Sequence, residues 1–417
     1  MDGATVTAPR DFLRQLHAAA VAAVNGRDAV ANALSANPIG SEPVTLIAVG
    51  KAAASMAHGA LDVLAEQVER GLIITREGYA DESLLQRAEL EQHETAHPVP
   101  DARSLAVGTR LVEFLADAPT RSQLLFLISG GASSLVERLP EGGSAEALAE
   151  LNSALLAGGL DIGQMNRIRK AFSTIKGGRL TQWLGQRPTK VLLISDVPGD
   201  DPGVIGSGLL FPDEQGPPPP EQLAALQIKM PPAPSAPLTQ DPVFAAIDWE
   251  IVASNSSALN AVEAAASAAG VAVTRHPEFL EGDAVDCGKQ VAKALVNGQP
   301  GIHLWGGEPT VNLPPHPGRG GRMQTLALAA ACELQGLDRL LLAAGTDGAD
   351  GPGEDAGAII DGETIKRGRT AGLVAETCLQ NADAGRFLAA ANDLVQTGYT
   401  GTNVMDVVIG WCPEPGV

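Results

Sequence analysis

Short aliphatic runs recur along this chain, each followed by glycine or small polar residues and then by an alanine-rich stretch of helical period. Residues 44–49 lead through Gly50-Lys51 into 52–68, residues 124–128 into Ser129-Gly130-Gly131, and residues 191–194 into Ser195-Asp196. Further along, residues 250–253 precede a helix from Ser254, residues 302–305 precede Gly306-Gly307-Glu308, and residues 340–344 precede Gly345-Thr346-Asp347. Uninterrupted apolar strands alternating with helices predict an α/β protein with largely parallel sheets covered on both faces, in which ligands gather at the carboxyl ends of strands. Each glycine or polar cluster just named falls at such an end.

Two stretches depart from this rhythm. Residues 16–24 are rich in alanine behind Arg10 and Arg14, but His17 interrupts the run and Asp11 sits in what would be a positive region. An amphipathic first helix is expected rather than an export signal. Residues 212–242 hold ten of the 29 prolines, which excludes sheet interior or a long helix. The expected domains are therefore 1–240 and 241–417. The proline-rich stretch is either a flexible linker or a short helix at 221–228 between extended segments.

Composition sharpens this picture. The 417 residues are worth about two to three domains of ordinary size. Acidic residues number 49 against 29 basic ones, a net charge of −20, which argues against nucleic acid or an anionic membrane as partner. With 45% hydrophobic and 19% charged residues the chain is too apolar for disorder, and it has no apolar run of spanning length. Aromatics make up only 3% while glycine reaches 47 residues, so the core is built from small side chains and close backbone approaches. Cys287, Cys332, Cys378 and Cys412 are widely spaced, which reads as free thiols in a reducing cytoplasm.

Several motif matches fail on context. His93-Glu94-Thr95-Ala96-His97 has the HExxH spacing, yet Pro98 and Pro100 deny His97 the continuing helix that a zinc site needs. Gly351-Pro352-Gly353-Glu354-Asp355-Ala356 matches GxGxxA, but it contains proline and no helical pattern follows. Gly50-Lys51 lacks the earlier glycine and the following Ser or Thr of a P-loop.

Other features survive. Between Ile162 and Ser195 there is no Asp or Glu, while Arg167, Arg169, Lys170, Lys176, Arg179, Arg187 and Lys190 supply seven cations. This asymmetry has two readings: an anion-binding strip, or cations paired with acids from elsewhere in the fold. If 164–176 is helical, Arg169, Ser173 and Lys176 share a face, and Gly177-Gly178 ends the helix or forms an anion nest. Ser129-Gly130-Gly131-Ala132-Ser133-Ser134 is a second anion candidate, because small residues let backbone N–H groups approach oxyanions. Gly320-Gly321-Arg322-Met323-Gln324, before a helix at 325–334, is a third. Against these stand Ser195-Asp196 through Asp201 and Thr346-Asp347 through Gly351, whose carboxylates suit Mg²⁺ bridged to phosphates. Cationic loops with carboxylate loops are what phosphoryl transfer needs.

These residues resemble the glycerate 2-kinase family with a C-terminal MOFRL domain, some members of which carry the label hydroxypyruvate reductase. The matching pieces include Val49-Gly50-Lys51, His97-Pro98-Val99-Pro100-Asp101, Ser129-Gly130-Gly131, Asn166 with Arg169-Lys170 and Ser173, Lys176-Gly177-Gly178 and Asp196-Val197-Pro198-Gly199-Asp200-Asp201. Gly306-Gly307-Glu308, Gly320-Gly321-Arg322, Gly345-Thr346-Asp347-Gly348 and Thr400-Gly401-Thr402-Asn403 with Asp406 continue in family order. The resemblance implies ATP- and Mg²⁺-dependent phosphorylation of the C2 hydroxyl of D-glycerate, in a cytoplasmic enzyme of two α/β domains with an interdomain cleft. A homodimer is compatible with it.

The resemblance further implies that Lys51 and Arg322 are catalytic, and that Asp196 accepts the hydroxyl proton or holds the metal with Asp347 and Asp350. Substrate or phosphate contacts are expected from Ser129, Gly130, Gly131, Ser133, Ser134, Asn166, Arg169, Lys170, Ser173, Lys176, Gly306, Gly307, Glu308 and Gln324. The family's Arg-Asn-Gln-Glu run reads Arg322-Met323-Gln324-Thr325 here, and Ser-Gly-Pro-Thr reads Ser207-Gly208-Leu209-Leu210. Met323 is expected to alter a substrate contact, since a thioether replaces an amide. The alternatives are a kinase for a related 2-hydroxy or sugar acid, a non-catalytic metabolite-binding descendant, and a hydroxypyruvate reductase, which would need a dinucleotide fingerprint.

Overall fold

In the computed structural model, which describes residues 8–157 and 162–414, the aliphatic runs form two six-stranded sheets. The chain separates into two compact units, residues 26–252 and residues 1–25 with 253–417. Relative to a boundary at 240, two segments lie elsewhere. Residues 8–25 belong with the second unit, and residues 241–252 with the first.

The first unit contains β1 (Val44–Val49), β2 (Val68–Arg76), β3 (Leu90–Thr95), β4 (Gln123–Ile128), β5 (Thr189–Ile194) and β6 (Ile247–Ala253), in the order β3-β2-β1-β4-β5-β6. All six residues of β1 and all six of β5 are buried, which is why these runs are mainly apolar rather than alternating, the exceptions being Thr45, Thr189 and Lys190, whose ammonium pairs with Asp248. The pairings β1–β2, β1–β4, β2–β3 and β4–β5 are parallel, with Ile47 beside both Leu72 and Phe126. Helix Ala102–Ala116 starts on a reciprocal cap between Asp101 and Ser104 and contributes Leu111 and Phe114 to the core that also holds Ile47, Phe126 and Val191. Each such side chain contributes about 1.5–3 kcal/mol by leaving water.

The second unit contains β7 (Val273–Arg275), β8 (Gly301–Gly307), β9 (Leu340–Gly345), β10 (Gly357–Asp361), β11 (Leu394–Val395) and β12 (Asp406–Cys412), ordered β11-β10-β9-β12-β8-β7. β7 and β8 are parallel, whereas β12 runs antiparallel to both β8 and β9, and β10 to both β9 and β11. Most strands therefore share one sense, but this sheet is mixed. The final strand slots between two earlier ones in the opposite sense, and antiparallel neighbours need no crossover helix.

The first helix, Pro9–Ala23, is amphipathic as expected and buries Leu13, Leu16, His17 and Ala20. It packs on helix Asn255–Ala268, and Arg10 donates to Asp361, Asp393 and the Ile359 carbonyl. Among the described residues no helix is long and apolar enough to cross a membrane. The proline-rich stretch carries a short helix at Pro220–Ala225. His93 to Thr95 lie on β3, so HExxH forms no helical zinc pair, and Gly351–Ala356 runs into a strand instead of a helix.

Within the first helix, His17 is only 2% exposed and its Nε2 has no hydrogen-bond partner among the described residues. Burial pushes its pKa from 6.5 down to about 4. With the folded value depressed, the stability this group permits is present above pH 6.5 and lost as pH falls toward 4. His17→Leu should raise stability by about 1–2 kcal/mol at neutral pH. It should also flatten the fall in Tm between pH 6.5 and 4, read by thermal unfolding across that range.

Candidate active site

In a doubly wound sheet of order 3-2-1-4-5-6 the strand order reverses between β1 and β4, and ligands collect at the carboxyl side of that point. Gly50-Lys51 follows β1 and Ser129-Gly130-Gly131 follows β4. The two turns are tied together: Lys51 N donates to the Gly130 carbonyl at 2.9 Å and Ala52 N to Ser129 Oγ at 3.1 Å. Gly50 has φ +135, and a Cβ there would collide with Ser129. Gly131 has φ +85, and a Cβ there would lie 3.3 Å from Lys51 Cγ and 3.0 Å from His97 Cδ2. Lys51, Gly131 and His97 are therefore neighbours.

Ser129 is fully buried and holds the turns in place rather than facing a ligand. Ser133 Oγ bonds Ser207 Oγ at 2.7 Å, and Ser134 Oγ donates to the Gly131 carbonyl at 3.1 Å. Asp196 follows β5, on the same sheet edge one strand beyond β4, and is half-buried.

The acid-free segment resolves mostly in favour of structural pairing. Its helix ends at Ala171, so Ser173 and Lys176 do not share a helical face with Arg169. The Ser173 hydroxyl instead accepts from the backbone N–H groups of Ile175 and Lys176 in a buried turn, a bond that competes with helix continuation. Lys176 is 2% exposed and donates to Glu137 and, at 2.7 Å, to the Ser133 carbonyl. Lys170 donates to the Gly203 carbonyl at 2.9 Å and pairs with Asp213, and Lys190 pairs with Asp248. Arg167, Arg179 and Arg187 donate to backbone carbonyls. Among the described residues, Arg169 alone of these seven cations bonds neutral amides, those of Asn152 and Asn166.

In the second unit Arg322 opens helix Arg322–Glu333. Its Nε and Nη2 donate to the two oxygens of Asp406 at 2.6 and 3.1 Å, and Nη1 lies 3.0 Å from Glu308. Asp350 accepts from Met323 N at 3.0 Å and Gln324 N at 2.7 Å, capping the helix from a distant loop. Burial opposes the charge on Arg322, but Asp406 and then Glu308 hold its pKa above the ordinary value. Burial pushes Asp350 up to about 7 against those two donors, and Asp406 up to about 6 against the pull of Arg322.

Asp347 accepts from Ala349 N at 3.1 Å, and a Cβ on Gly345 would lie 3.2 Å from Asp347 Oδ1 and 3.3 Å from Asp406 Oδ1. Gly306 and Gly307 lie inside β8 rather than in a ligand loop: side chains there would strike Asn255 and Leu280. Gln324 is 1% exposed, with Oε1 unpartnered among the described residues. Met323 is fully buried in the apolar core, so the thioether alters packing and not a substrate contact.

The DUF4147 model, described as a domain of unknown function, matches residues 12–232, more than half of the chain, and the MOFRL family model matches 301–406. A Thermotoga maritima protein named D-glycerate 2-kinase is 33% identical over 88% of this chain and 90% of its own. The chain belongs to the glycerate 2-kinase family. A crystal structure titled glycerate kinase from Thermotoga maritima superposes with a TM-score of 0.81 at 30% identity, over 96% of this chain and 98% of that one. A relative from Agrobacterium vitis, 36% identical over 87% of this chain and 97% of its own, bears a name that offers hydroxypyruvate reductase as an assignment.

Within this member of the glycerate 2-kinase family, sequence reasoning passed over Asp406, Glu137 and His97 as site residues. Asp406 orients Arg322, Glu137 neutralises Lys176, and His97 borders Lys51. His97 and Asp406 stand in the runs that match the family, but the pairings were hidden, since the partners of Arg322 and Lys176 lie 84 and 39 residues away. Lys176→Met should cost about 3–5 kcal/mol, because Glu137 is left buried without its counter-charge. Adding Glu137→Leu should recover most of that loss, measured by urea unfolding of the single and double variants.

Proposed function

We propose that this protein transfers the terminal phosphoryl group of ATP to the C2 hydroxyl of D-glycerate, giving 2-phosphoglycerate and ADP. The observation that carries the reading is the juxtaposition of Lys51 with the left-handed Gly131 turn at the β1/β4 reversal. A point charge beside a glycine turn, where oxyanions can approach the backbone closely, suits phosphoryl oxygens. In the reaction the glycerate O2 forms a bond to phosphorus, the bond from phosphorus to the ADP oxygen breaks, and the O2 proton leaves. Asp196, on the same edge of the sheet, is the proposed acceptor for that proton or a ligand of the metal. Arg322, fixed by Asp406 and Glu308, is the proposed bidentate clamp for developing phosphoryl charge.

Mg²⁺ fits the donor chemistry in part. Asp347, Asp406 and Glu308 put more negative charge around Arg322 than it neutralises, and hard carboxylate oxygens suit this ion. Among the described residues no group of three or more His, Cys, Asp or Glu converges as a metal cage. An ion of this kind would be held by one or two carboxylates and chiefly by nucleotide phosphates, whose charge it would neutralise. Asp347 is the better ligand candidate, since both Asp350 oxygens accept backbone N–H groups.

A reductase reading has little support, because the Gly351–Ala356 match precedes β10 and not a helix. The four cysteines are unpaired, which favours a reducing compartment and hence the cytoplasm. The test is turnover with ATP, Mg²⁺ and a panel of small 2-hydroxy acids, with the phosphorylated position read by NMR. Product at C2 of D-glycerate is expected, and phosphorylation at C3 would reject the assignment. Lys51→Ala should lower kcat/KM by roughly 10²–10⁴-fold with an unchanged Tm. Near-normal turnover in that variant would remove Lys51 from the mechanism.

A further inference from the structure

The first helix presents two faces. Leu13, Leu16 and Ala20 enter the core, while Arg14, His17 and Val21 line a cavity of about 500 Å³ whose other wall is the segment from Leu394 to Thr400. The cavity lies wholly within the second unit, and its size is that of an ordinary small-molecule site. His17 borders it with an Nε2 that has no partner among the described residues. Burial holds the imidazole neutral, so it offers an N–H or a lone pair and not a charge. A buried polar atom left unmet costs about 1–3 kcal/mol, a loss that a ligand group in the cavity would remove.

Arg14 stands one turn before His17, where helical residues three apart are neighbours. Among the described residues only its Nη1 is engaged, by Asp11 Oδ1 at 3.1 Å, and that pair is exposed and therefore weak. In a chain of net charge −20, no Asp or Glu among the described residues lines the cavity. Val21, Leu394 and Val395 make its walls largely apolar. The far wall is also tied to the loop that carries Asp347. Thr400 Oγ1 donates to the Thr346 carbonyl at 2.6 Å, and a Cβ on Gly348 would lie 2.1 Å from the Gly398 carbonyl oxygen. Just past the first helix, Asn25 Nδ2 donates to the Thr400 carbonyl at 3.0 Å.

We infer that this cavity is a regulatory site for a small monocarboxylic acid with an apolar body, its carboxylate bridging Arg14 and His17 and its body lying against Val21, Leu394 and Val395. A planar carboxylate accepts from a guanidinium and an imidazole N–H together. A nucleotide polyphosphate suits the place less, since among the described residues Arg14 is the one cation lining it and is already shared with Asp11. Thr346 precedes Asp347, so an occupant that fixes residues 396–400 acts on the proposed metal loop, a step that rests on the kinase reading above.

The test titrates the protein with 3-phenylpropionate and hexanoate by calorimetry, against 3-phenylpropanol as the uncharged match. Both acids should bind, the alcohol should bind about 10–100-fold more weakly, and Arg14→Gln and His17→Leu should each weaken the acids by a similar factor. His17→Leu should do so while raising Tm, which separates lost binding from lost folding. Without acid neither variant should change kcat, whereas saturating acid should shift the KM for Mg-ATP at least about twofold in wild type and not in His17→Leu. Failure of both acids to bind, equal affinity for the alcohol, or unchanged affinity in both variants overturns the site. Displacement of the acid by ATP or D-glycerate overturns it too, by marking a substrate pocket, and acid binding that leaves the KM unchanged overturns the regulatory role. Binding needs no turnover, so a wild-type protein that phosphorylates no 2-hydroxy acid rejects the kinase reading and leaves the carboxylate site standing.

Discussion

The ends of β1 and β4 approach so closely that residue 50 must be glycine: with φ +135 and a would-be Cβ inside Ser129, no side chain can be accommodated. This constraint places Lys51. Its backbone is bonded to Gly130 and its side chain passes Gly131, where a second positive φ lets the chain turn beside it. A lysine has about 2 kcal/mol of rotamer freedom to lose, and confining its stem between glycine backbones reduces what remains to be lost on binding. The site's precision on this sheet therefore comes from backbone contact more than from side-chain packing.

A second layer of control lies in how charge is compensated. Lys176 and Glu137 are both buried, and such a pair adds little net stability over apolar residues of equal volume. What the pair does is hold the Ser133 carbonyl, and with it the turn that follows β4. Arg322 is treated differently. Asp406, 1% exposed, engages two of its nitrogens, so the guanidinium is fixed in orientation but still part of a group with excess negative charge. One unit thus uses its buried ion pair to shape a loop, while the other uses its own to aim a cation.

The strands were legible because burial on both faces writes itself as an uninterrupted apolar run, as in residues 124–128 and 191–194. Lys51 and the Ser129-Gly130-Gly131 turn were legible for the same reason, since each follows directly on such a run. Strand sense was not: nothing local in Asp406–Cys412 encodes that it enters antiparallel between β8 and β9. Glycine also carried two meanings that spacing could not separate. Gly131 turns the chain at a site, whereas Gly306 and Gly307 make room for Asn255 and Leu280 inside a strand. The cation-rich segment left two readings open for the same reason, because charge counted along the chain does not reveal carboxylates brought from Glu137, Asp213 and Asp248.

The departures from the family pattern bear on selectivity once they are placed in the fold. Met323 and Leu209 are both buried among apolar neighbours, so each exchange is answered by packing. Tyr399 is half exposed, on a segment lining a cavity of about 500 Å³ beside the first helix. The charged residues Lys51, at the sheet edge, and Arg322, locked to Asp406, keep the types that the family pattern has. Changes confined to core positions adjust volumes by methylene-sized steps, and a hydrophobic step of that size discriminates between substrates only about 10–200-fold. A site built from directed donors rejects a ligand lacking the matching acceptor far more strongly, because its buried polar groups are then left unpaired. Selectivity for an acid over a neutral alcohol therefore has to reside in fixed polar groups and not in these core exchanges.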